Sequence, residues 1–445
     1  MAAVASPTTL RKLENAHINE GGEIERRKAF VSYADAAGTF GLASANGQLF
    51  TFGTGTNPLP PLSPLGYQQL TTGTGVVIES IEDWDLFDGA LYVVGLGDDG
   101  NHYHFYDGTL VPGGLGRHIK TFGEKVYSVK NKDVSFCATA DPTDWAGTGS
   151  GTINLSTQDA DSLDLEGIEI YYDQLAFMSP STTQLWNLDP DPLNNAKAQI
   201  LRATGTRAGH AARQYGNGDV LYLDSSGVRS LRARNSSNAA SVSDIGSPID
   251  SLLRTLLTEN PTDFAEAVST VEQGTGRWWL RAGSCIYVLS HFPGPKVTAW
   301  SCYTPEDGVQ DMVSHNLGVA VRDDSDVIRL YGGENYDEYD DTPVIVTTPF
   351  MAAGLPATEK AWDGIDIAGR NVWKVEYNLN PSSPDSIDDE TQWRLSGYYD
   401  GTTNALGVMG LDGTSTHIAL RLTCEKTGQA QLANSILHYA EGVSG

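Results

Sequence analysis

The chain has 445 residues, of which 40% are hydrophobic and 19% are charged, so it can bury a large core and is not disordered. Its 29 basic and 56 acidic residues give a formal net charge of −27 at pH 7. Because nucleic-acid binding depends on Lys and Arg displacing condensed counterions, this charge argues against ordinary DNA or RNA binding.

Short runs of β-branched and aromatic residues recur about every 40 residues, each with a Gly, Asn or Asp turn. Each run is typical of two strands joined by a tight turn, because these turn residues tolerate positive φ. The period predicts a β-propeller of six or seven blades, with a pair of β-sandwich domains as the alternative. The units are Gly38–Phe52, Trp84–Val94, Ile119–Val129, Ile168–Met178, Gly218–Leu231, Arg277–Leu289 and Leu317–Leu330.

One segment between these units, Ser247–Leu257, predicts a helix. It has a proline close to its start, where a missing N–H costs nothing, and its leucines follow at helical spacing. We expect it to cap a blade or an edge of the sheet structure.

The strand pattern lapses at Gly332–Asp341, where six of the ten residues are acidic or asparagine. This change predicts a domain boundary. Beyond it, long alternating strands are typical of a β-sandwich. The whole chain is therefore predicted to be all-β, with a propeller over residues 1–341, including an N-terminal strand, and a C-terminal β-sandwich over residues 342–445.

The cysteines and the apolar runs indicate the environment of the chain. Four cysteines are too few for a disulfide framework at this length, so we expect free thiols, although Cys285 and Cys302 could bridge from neighbouring strands. Charged residues interrupt the first 25 residues, which argues against a secretory signal. The apolar runs, of about six to eight residues, are much shorter than a membrane-spanning helix, so we expect no membrane insertion.

Motifs that carry common chemistries are missing from the sequence. A phosphate-binding glycine loop before a helix is absent, and Gly147–Gly151 misplaces the serine of a hydrolase elbow. His102 and His104 could share a metal from one strand face, but no third ligand is near in sequence, so we expect surface-facing histidines. The sequence therefore predicts no enzyme, no catalytic residue, no cofactor and no metal site.

Three acidic clusters leave an alternative to a purely structural function open. Pairs of carboxylates are the catalytic groups of glycosidases, and carboxylates also bind calcium. None has the spacing of an EF-hand or of a sialidase Asp box, and solvated acidic loops explain them more simply. A carbohydrate-binding or glycan-cleaving propeller is the alternative function. The clusters are Glu79, Glu82, Asp83 and Asp85; Asp159, Asp161, Asp164 and Glu166; and the run from Glu334 to Asp341.

Three groups of segments, spread over nearly the whole length, show a further pattern. They are Asn15–Phe30; Asn217–Leu231 with the helix at 249–257; and Thr348–Phe350 and Glu359–Gly369 with Leu420–Leu422 and Ile436–Tyr439. Together they resemble the tail nozzle proteins of short-tailed bacteriophages. The first group is similar to the opening of their propeller, the second to a blade in its middle, and the third to their C-terminal sandwich.

This resemblance implies a structural subunit of the virion tail, assembled in the host cytoplasm. The expected assembly is a hexameric ring below the head-to-tail adaptor, carrying fibres or spikes and enclosing a channel through which genomic DNA leaves without specific binding. A negative lumen would repel passing phosphates and prevent sticking. The candidate lumen or gate residues are Asp323, Asp324, Glu334, Asp337, Glu338, Asp340 and Asp341.

Overall fold

The structure is a computed structural model that describes residues 2–4, 10–113, 116–157, 163–237, 245–354, 356–382, 384–400 and 408–441. The chain forms two compact units. The larger comprises Ser32–Ser284 and Asp307–Tyr331, and the smaller comprises Met1–Val31, Cys285–Glu306 and Gly332–Gly445. Strands dominate both units, which confirms the predicted all-β class.

The first strands belong to the smaller unit, apart from the fifth, which leads into the larger one. They are β1 (Ala2–Val4), β2 (Lys12–Glu14), β3 (Ala16–Ile18), β4 (Ile24–Arg26) and β5 (Phe30–Asp35).

Four small sheets then follow one another along the chain in the larger unit. The first has three strands and the next three have four each. Their strands are β6 (Phe40–Ala45), β7 (Gln48–Gly53) and β8 (Gly66–Gln69); β9 (Ile78–Phe87), β10 (Ala90–Gly97), β11 (His102–Tyr106) and β12 (Thr109–Val111); β13 (His118–Phe122), β14 (Lys125–Lys130), β15 (Asp133–Phe136) and β16 (Gly151–Asn154); and β17 (Gly167–Tyr171), β18 (Gln174–Met178), β19 (Thr182–Asn187) and β20 (Ala196–Arg202).

The fifth sheet is followed by three helices, and the sixth contributes two strands to the larger unit. The elements are β21 (Arg213–Tyr215), β22 (Asp219–Asp224) and β23 (Gly227–Ser230); α1 (Leu231–Ser237), α2 (Asp250–Glu259) and α3 (Pro261–Ala265); and β24 (Val268–Glu272) and β25 (Arg277–Ala282). The predicted helix is therefore present as α2, which begins three residues later than expected.

The remaining strands complete both units. Those of the smaller unit are β26 (Cys285–Phe292) and β27 (Val297–Tyr303), then β31 (Val344–Thr347), β32 (Lys360–Arg370), β33 (Trp373–Asn378), β34 (Arg394–Tyr399), β35 (Met409–Gly410), β36 (Thr414–Ser415), β37 (Ala419–Cys424) and β38 (Gln431–Glu441). The seventh sheet of the larger unit is β28 (Val309–His315), β29 (Gly318–Asp323) and β30 (Val327–Tyr331), with β5 added beside β30.

The seven sheets of the larger unit form a closed ring. Their innermost strands contact one another in the order β6, β9, β13, β17, β21, β24 and β28, and β28 contacts β6 again. The apolar cores lie between successive sheets: Leu91 and Val93 pack with Phe52, and Ala320 and Ile328 pack with Leu42. This is a β-propeller, and its described residues resolve the predicted six or seven blades to seven.

Strand β5, which precedes the first blade, closes the ring, because it pairs with β30 at the edge of the seventh blade. The turns follow the predicted chemistry. Asn46 and Gly47, between β6 and β7, have φ values of 50° and 75°, which asparagine and glycine tolerate better than other residues.

The smaller unit is a β-sandwich. One sheet has the order β3-β4-β38-β32-β35, and the other runs β26-β27-β2-β31-β37-β33-β34. Their shared core includes Trp362 and Leu437 from the first sheet and Val346, Trp373 and Leu422 from the second. The predicted C-terminal sandwich is thus present.

The sandwich also recruits segments from far away in the sequence. Strand β2 pairs with β31, and β4 pairs with β38. This division differs from the boundary placed between residues 341 and 342, since residues 1–31 and 285–306 cluster with the C-terminal strands. Strand pairing over more than 300 residues leaves no local signal in the sequence.

The cysteines also differ from expectation. Cys285 and Cys302 lie on the neighbouring strands β26 and β27 and form a disulfide, whereas we expected free thiols. Cys137 and Cys424 are free and buried. Among the described residues, no helix is both long and apolar enough to cross a membrane.

Candidate functional site

The innermost strands of the propeller surround two adjoining cavities that are rich in charged side chains. One cavity, of about 380 Å³, includes Asp83, Arg213 and Asp311 in its lining. The other, of about 410 Å³, includes Lys120 and also Arg213. We call this region the channel site. Its acidic residues on β9 belong to a cluster that we expected to be a solvated loop, and that expectation is wrong because β9 is an innermost strand.

Carboxylates on β9 satisfy the open edge of the next innermost strand. The Oδ2 atom of Asp83 accepts a hydrogen bond from the backbone N–H of Ile119 at 2.9 Å, and Asp85 accepts one from Thr121 at 2.8 Å. Asp83 and Asp85 are two residues apart, so a strand presents both on the same face. These bonds attach the second blade to the third where strand-to-strand pairing is missing.

A buried ion pair lies in the second cavity. The Nζ atom of Lys120 is 3.0 Å from Oε1 of Glu169, and the two side chains are 15% and 2% exposed. Burial acts to lower the pKa of Lys120, but the nearby carboxylates of Glu169 and Asp85 outweigh it and raise that pKa. Burial raises the pKa of Asp85, and Lys120 partly opposes this shift.

Two further charged groups line the first cavity. The buried guanidinium of Arg322 donates to Asp326 at 2.6 Å and to the carbonyl of Thr39 at 2.5 Å, which ties the seventh blade to the start of the first. Asp311 accepts a hydrogen bond from the N–H of Met312. Burial raises the pKa of Asp311, although that hydrogen bond and nearby arginines oppose the shift.

A cluster of one carboxylate and two imidazoles lies where the second, third and fifth blades meet. Asp83 comes from β9, His118 begins β13, and His210 lies in the 3₁₀ turn Gly209–Ala211 before β21. One possible ligand atom from each of the three residues lies within 4.8 Å of the other two. These residues could hold a metal ion.

The pKa values of two residues in this cluster are shifted. Burial lowers the pKa of His210 to about 3, with a further contribution from His118, so the His210 imidazole is neutral at pH 7. For Asp83, burial acts to raise the pKa, but the adjacent imidazoles of His118 and His210 and the charge of Arg213 hold it well below its usual range. A neutral imidazole beside an ionised carboxylate is the state in which both can act as ligands.

A different pair of histidines lies close together in the sequence. His102 and His104 lie on β11, but His104 is fully buried, so the expectation of two surface histidines is wrong. The imidazole of His104 bonds the hydroxyl of Tyr92 at 3.1 Å and the backbone carbonyl of Gly116 at 3.0 Å. With both ring nitrogens occupied, His104 is a structural core residue.

The candidate lumen residues divide into exposed and engaged side chains. Asp323 is buried and accepts from Arg329 Nε at 2.6 Å, and Asp340 is paired with Arg27 at 2.8 Å. Neither offers a free carboxylate to solvent. The exposed ones are Asp324, Glu334, Asp337, Glu338 and Asp341. In the remaining acidic cluster, Asp159 and Asp161 lie outside the described residues.

The acidic segment Gly332–Asp341, which we call the acidic loop, is held in place by the residues just before β5. The N–H of Ala29 donates to the carbonyl of Glu338 at 2.9 Å, and the N–H of Gly332 donates to the carbonyl of Ala29 at 2.7 Å. The guanidinium of Arg27 is only 2% exposed and anchors Asp340 from beneath. The backbone of the acidic loop is therefore held in place, with its exposed carboxylates attached to it.

The fold defines the class of the protein as a seven-bladed β-propeller joined to a β-sandwich. No protein-family model matches the chain, and no curated protein matches its sequence.

Solved structures resemble it only in part. BamB from Moraxella catarrhalis gives a TM-score of 0.37 at 10% identity, covering 72% of this chain and 82% of that one. YCF48 bound to D1 peptide gives 0.35 at 9% identity, covering 74% and 96%. The extracellular domain of a hybrid two-component system from B. thetaiotaomicron gives 0.38 at 9% identity, covering 87% and 58%. Likeness at this level carries no argument about function.

Proposed function

We propose that the chain is a structural subunit of the tail nozzle of a short-tailed bacteriophage. Copies of it form a hexameric ring below the head-to-tail adaptor, carry fibres or spikes, and enclose the channel through which genomic DNA leaves the capsid. The protein belongs to the virion tail, is assembled in the host cytoplasm, and acts without catalysis or a cofactor. The resemblance of the sequence segments to nozzle proteins supports this assignment.

The observation that carries the proposal is the fixed acidic loop. Glu334, Asp337, Glu338 and Asp341 are exposed, while Arg27 and the backbone of Ala29 hold the loop from its buried side. Repeated around a ring, such a loop gives a wall of like charge that repels phosphate and cannot collapse onto it. The net charge of −27 favours the same behaviour over the rest of the surface.

The first test measures assembly. The purified full chain is mixed with the head-to-tail adaptor, and light scattering gives the mass while electron microscopy records rings. We expect six copies on each adaptor. A chain that remains a monomer with its adaptor under all assembly conditions contradicts the proposal.

The second test measures the role of the acidic loop. A variant with Glu334→Gln, Asp337→Asn, Glu338→Gln and Asp341→Asn should assemble normally but retain DNA at low salt, because the repulsion is reduced. A control with the same charge change replaces four exposed aspartates of the propeller turns, Asp88, Asp98, Asp99 and Asp107, by asparagine. Equal DNA retention by both variants would show that the loop does not line the channel.

A glycan-cleaving propeller is the second candidate, and one observation favours it. Asp83 and Asp311 line the same cavity, and their pKa values are shifted in opposite directions, Asp83 down and Asp311 up. Two carboxyl groups whose pKa values are shifted apart are the kind of pair that glycoside hydrolysis uses. Release of reducing sugar from host surface glycans by the native chain, and its loss in Asp311→Asn, would support this candidate. No release from any such glycan would eliminate it.

A further inference from the structure

We propose that Asp83, His118 and His210 bind a divalent first-row transition metal ion, of which Zn²⁺ is the natural representative. The site lies inside the propeller, at the meeting point of three blades, and goes beyond the structural role proposed above. Two imidazoles and one carboxylate are a common donor set for such ions and leave further coordination positions open.

The positions of the three side chains are fixed by the fold. Asp83 accepts a hydrogen bond from the N–H of Ile119, the residue next to His118. This one backbone contact therefore holds Asp83 close to His118. The Nδ1 atom of His118 is 3.8 Å from Oδ2 of Asp83, and the rings of His118 and His210 have centroids 4.8 Å apart. A tetrahedral ion with ligands at about 2.1 Å needs ligand atoms roughly 3.4 Å apart. The three ligand atoms lie within 4.8 Å of one another, so side-chain rotations that shorten these separations by up to about 1.4 Å complete the set.

Glycine at position 209 allows the two imidazoles to meet. A Cβ atom there would overlap the backbone carbonyl of Glu166 and would lie 2.8 Å from Cε1 of His118. The absence of a side chain at Gly209 lets the 3₁₀ turn approach β13 and place His210 beside His118.

An unsatisfied nitrogen independently points to a ligand. His118 is 3% exposed, and its Nε2 atom is buried without a hydrogen-bond partner among the described residues. An interior polar atom without a partner is unfavourable and requires an explanation. A bound ion supplies one, either by taking that nitrogen as a ligand or by holding water against it.

The charges facing the cluster also favour a cation. Arg117 is neutralised by Glu82, whose Oε2 lies 2.6 Å from its Nε. His210 lines two cavities. Beyond Asp83 itself, one is lined by the acidic side chains of Glu79, Glu82, Asp311 and Asp326 and by Arg213 and Arg322, and the other by Glu166, Arg117 and Arg207.

The test uses the full chain after removal of metal with a chelator. Isothermal titration with Zn²⁺ should show one bound equivalent, and Co²⁺ should give the absorption bands of a nitrogen- and oxygen-ligated ion. His210→Gln and Asp83→Asn should each weaken binding by about tenfold or more, the loss seen even for residues that only support a ligand. Circular dichroism of each variant verifies its fold.

The matched control is His438→Gln. His438 also lies beside a carboxylate, with Nε2 2.8 Å from Oδ2 of Asp366, but both side chains are 37% exposed and the pair forms no part of a three-ligand cluster among the described residues. Its loss should leave Zn²⁺ affinity unchanged. A decrease equal to that of His210→Gln would place the ion elsewhere and overturn the proposal.

Two further results would also overturn it: no heat of binding with either ion, or native affinity in both His210→Gln and Asp83→Asn. If these variants do not fold, X-ray absorption of the Zn²⁺-loaded native chain decides. Two imidazoles in the first coordination shell support the site, and a shell of oxygen atoms alone refutes it.

Discussion

Replacing Lys120 by methionine tests whether buried ion pairs hold the propeller blades together. Methionine keeps most of the apolar stem of lysine but removes the ammonium group. That group lies 3.0 Å from Glu169, whose side chain is 2% exposed, and it also faces Asp85. Lys120 is on the third blade, Glu169 is on the fourth and Asp85 is on the second. The substitution therefore leaves two interior carboxyl groups without their shared cation.

The size of the effect follows from the separation and the burial. At 3.0 Å and an effective dielectric constant of about 20, the attraction between unit charges is about 5.5 kcal/mol. Desolvation offsets part of this energy in the native chain, but removing one partner leaves the other buried and unpaired, which typically costs about 3–5 kcal/mol. We expect Lys120→Met to lower the free energy of unfolding of the propeller by that amount.

The assay is urea denaturation at pH 7, followed by circular dichroism and tryptophan fluorescence, with the transitions of the two units fitted separately. Adding Glu169→Gln to Lys120→Met should recover part of the loss, because a neutral amide needs no counter-ion. The control is Arg11→Met, which breaks a pair with a 2.7 Å separation to Asp388 in which the side chains are 42% and 66% exposed. An exposed pair of this kind contributes less than about 1 kcal/mol.

Two outcomes would refute the reasoning. Lys120→Met could cost no more than Arg11→Met, in which case burial does not amplify the interaction. Alternatively, Glu169→Gln could add its full loss to that of Lys120→Met, which would mean that the two residues act independently.

Three other predictions concern separate parts of the chain. Breaking the disulfide in Cys285→Ser with Cys302→Ser, which closes a loop with a sequence separation of 17, should lower the unfolding free energy of the sandwich by about 3 kcal/mol; an unchanged calorimetric transition would contradict this. Trp362→Ala should cost about 3–5 kcal/mol in urea titrations, because that side chain is 2% exposed in the sandwich core, and a cost equal to that of Trp362→Phe would show that the ring volume is unimportant. Burial raises the pKa of Asp311 in the folded protein. Its contribution to stability is therefore present below the unfolded pKa of about 3.9 and is lost as pH rises through the raised folded pKa. Asp311→Asn should flatten the plot of unfolding free energy against pH above about pH 4, and an unchanged slope of that plot would contradict the pKa shift.

Local features of the fold were predictable because their causes are local. Each of the seven predicted hairpin units lies where the structure has strands, since strand residues and turn residues alternate within about 15 positions. Turns such as Asn46–Gly47 need positive φ, and the sequence shows that requirement directly.

Non-local features were not predictable. The pairing of β2 with β31 joins residues about 330 positions apart, and the sequence of neither strand indicates which strand it pairs with. The disulfide between Cys285 and Cys302 was only one of two expectations, because it forms only if β26 and β27 are neighbours in the sheet and bring the two cysteines together.

The channel site shows the same limit. Asp83 was noticed as part of an acidic cluster, but a count of acidic residues does not distinguish a solvated loop from an innermost strand. The alternation of Asp83 and Asp85 with Trp84 and Leu86 was the available signal, since it indicates a strand with one polar face. His118 and His210 were missed because their proximity depends on the ring of blades. Among the lumen candidates, the acidic composition of the acidic loop is consistent with its exposure. The burial of Asp323 was not predictable, because it depends on the ion pair with Arg329.

Closure of the ring by β5 has a consequence for biosynthesis. The ribosome makes β5 before any of the blades, but its neighbour β30 ends at Tyr331, after all the intervening blades. Until then the nascent polypeptide has an unpaired edge strand, and such strands readily pair with strands of other molecules. Translation speed and chaperone occupancy over that interval should therefore determine how much of the newly made protein reaches a sealed, aggregation-resistant state.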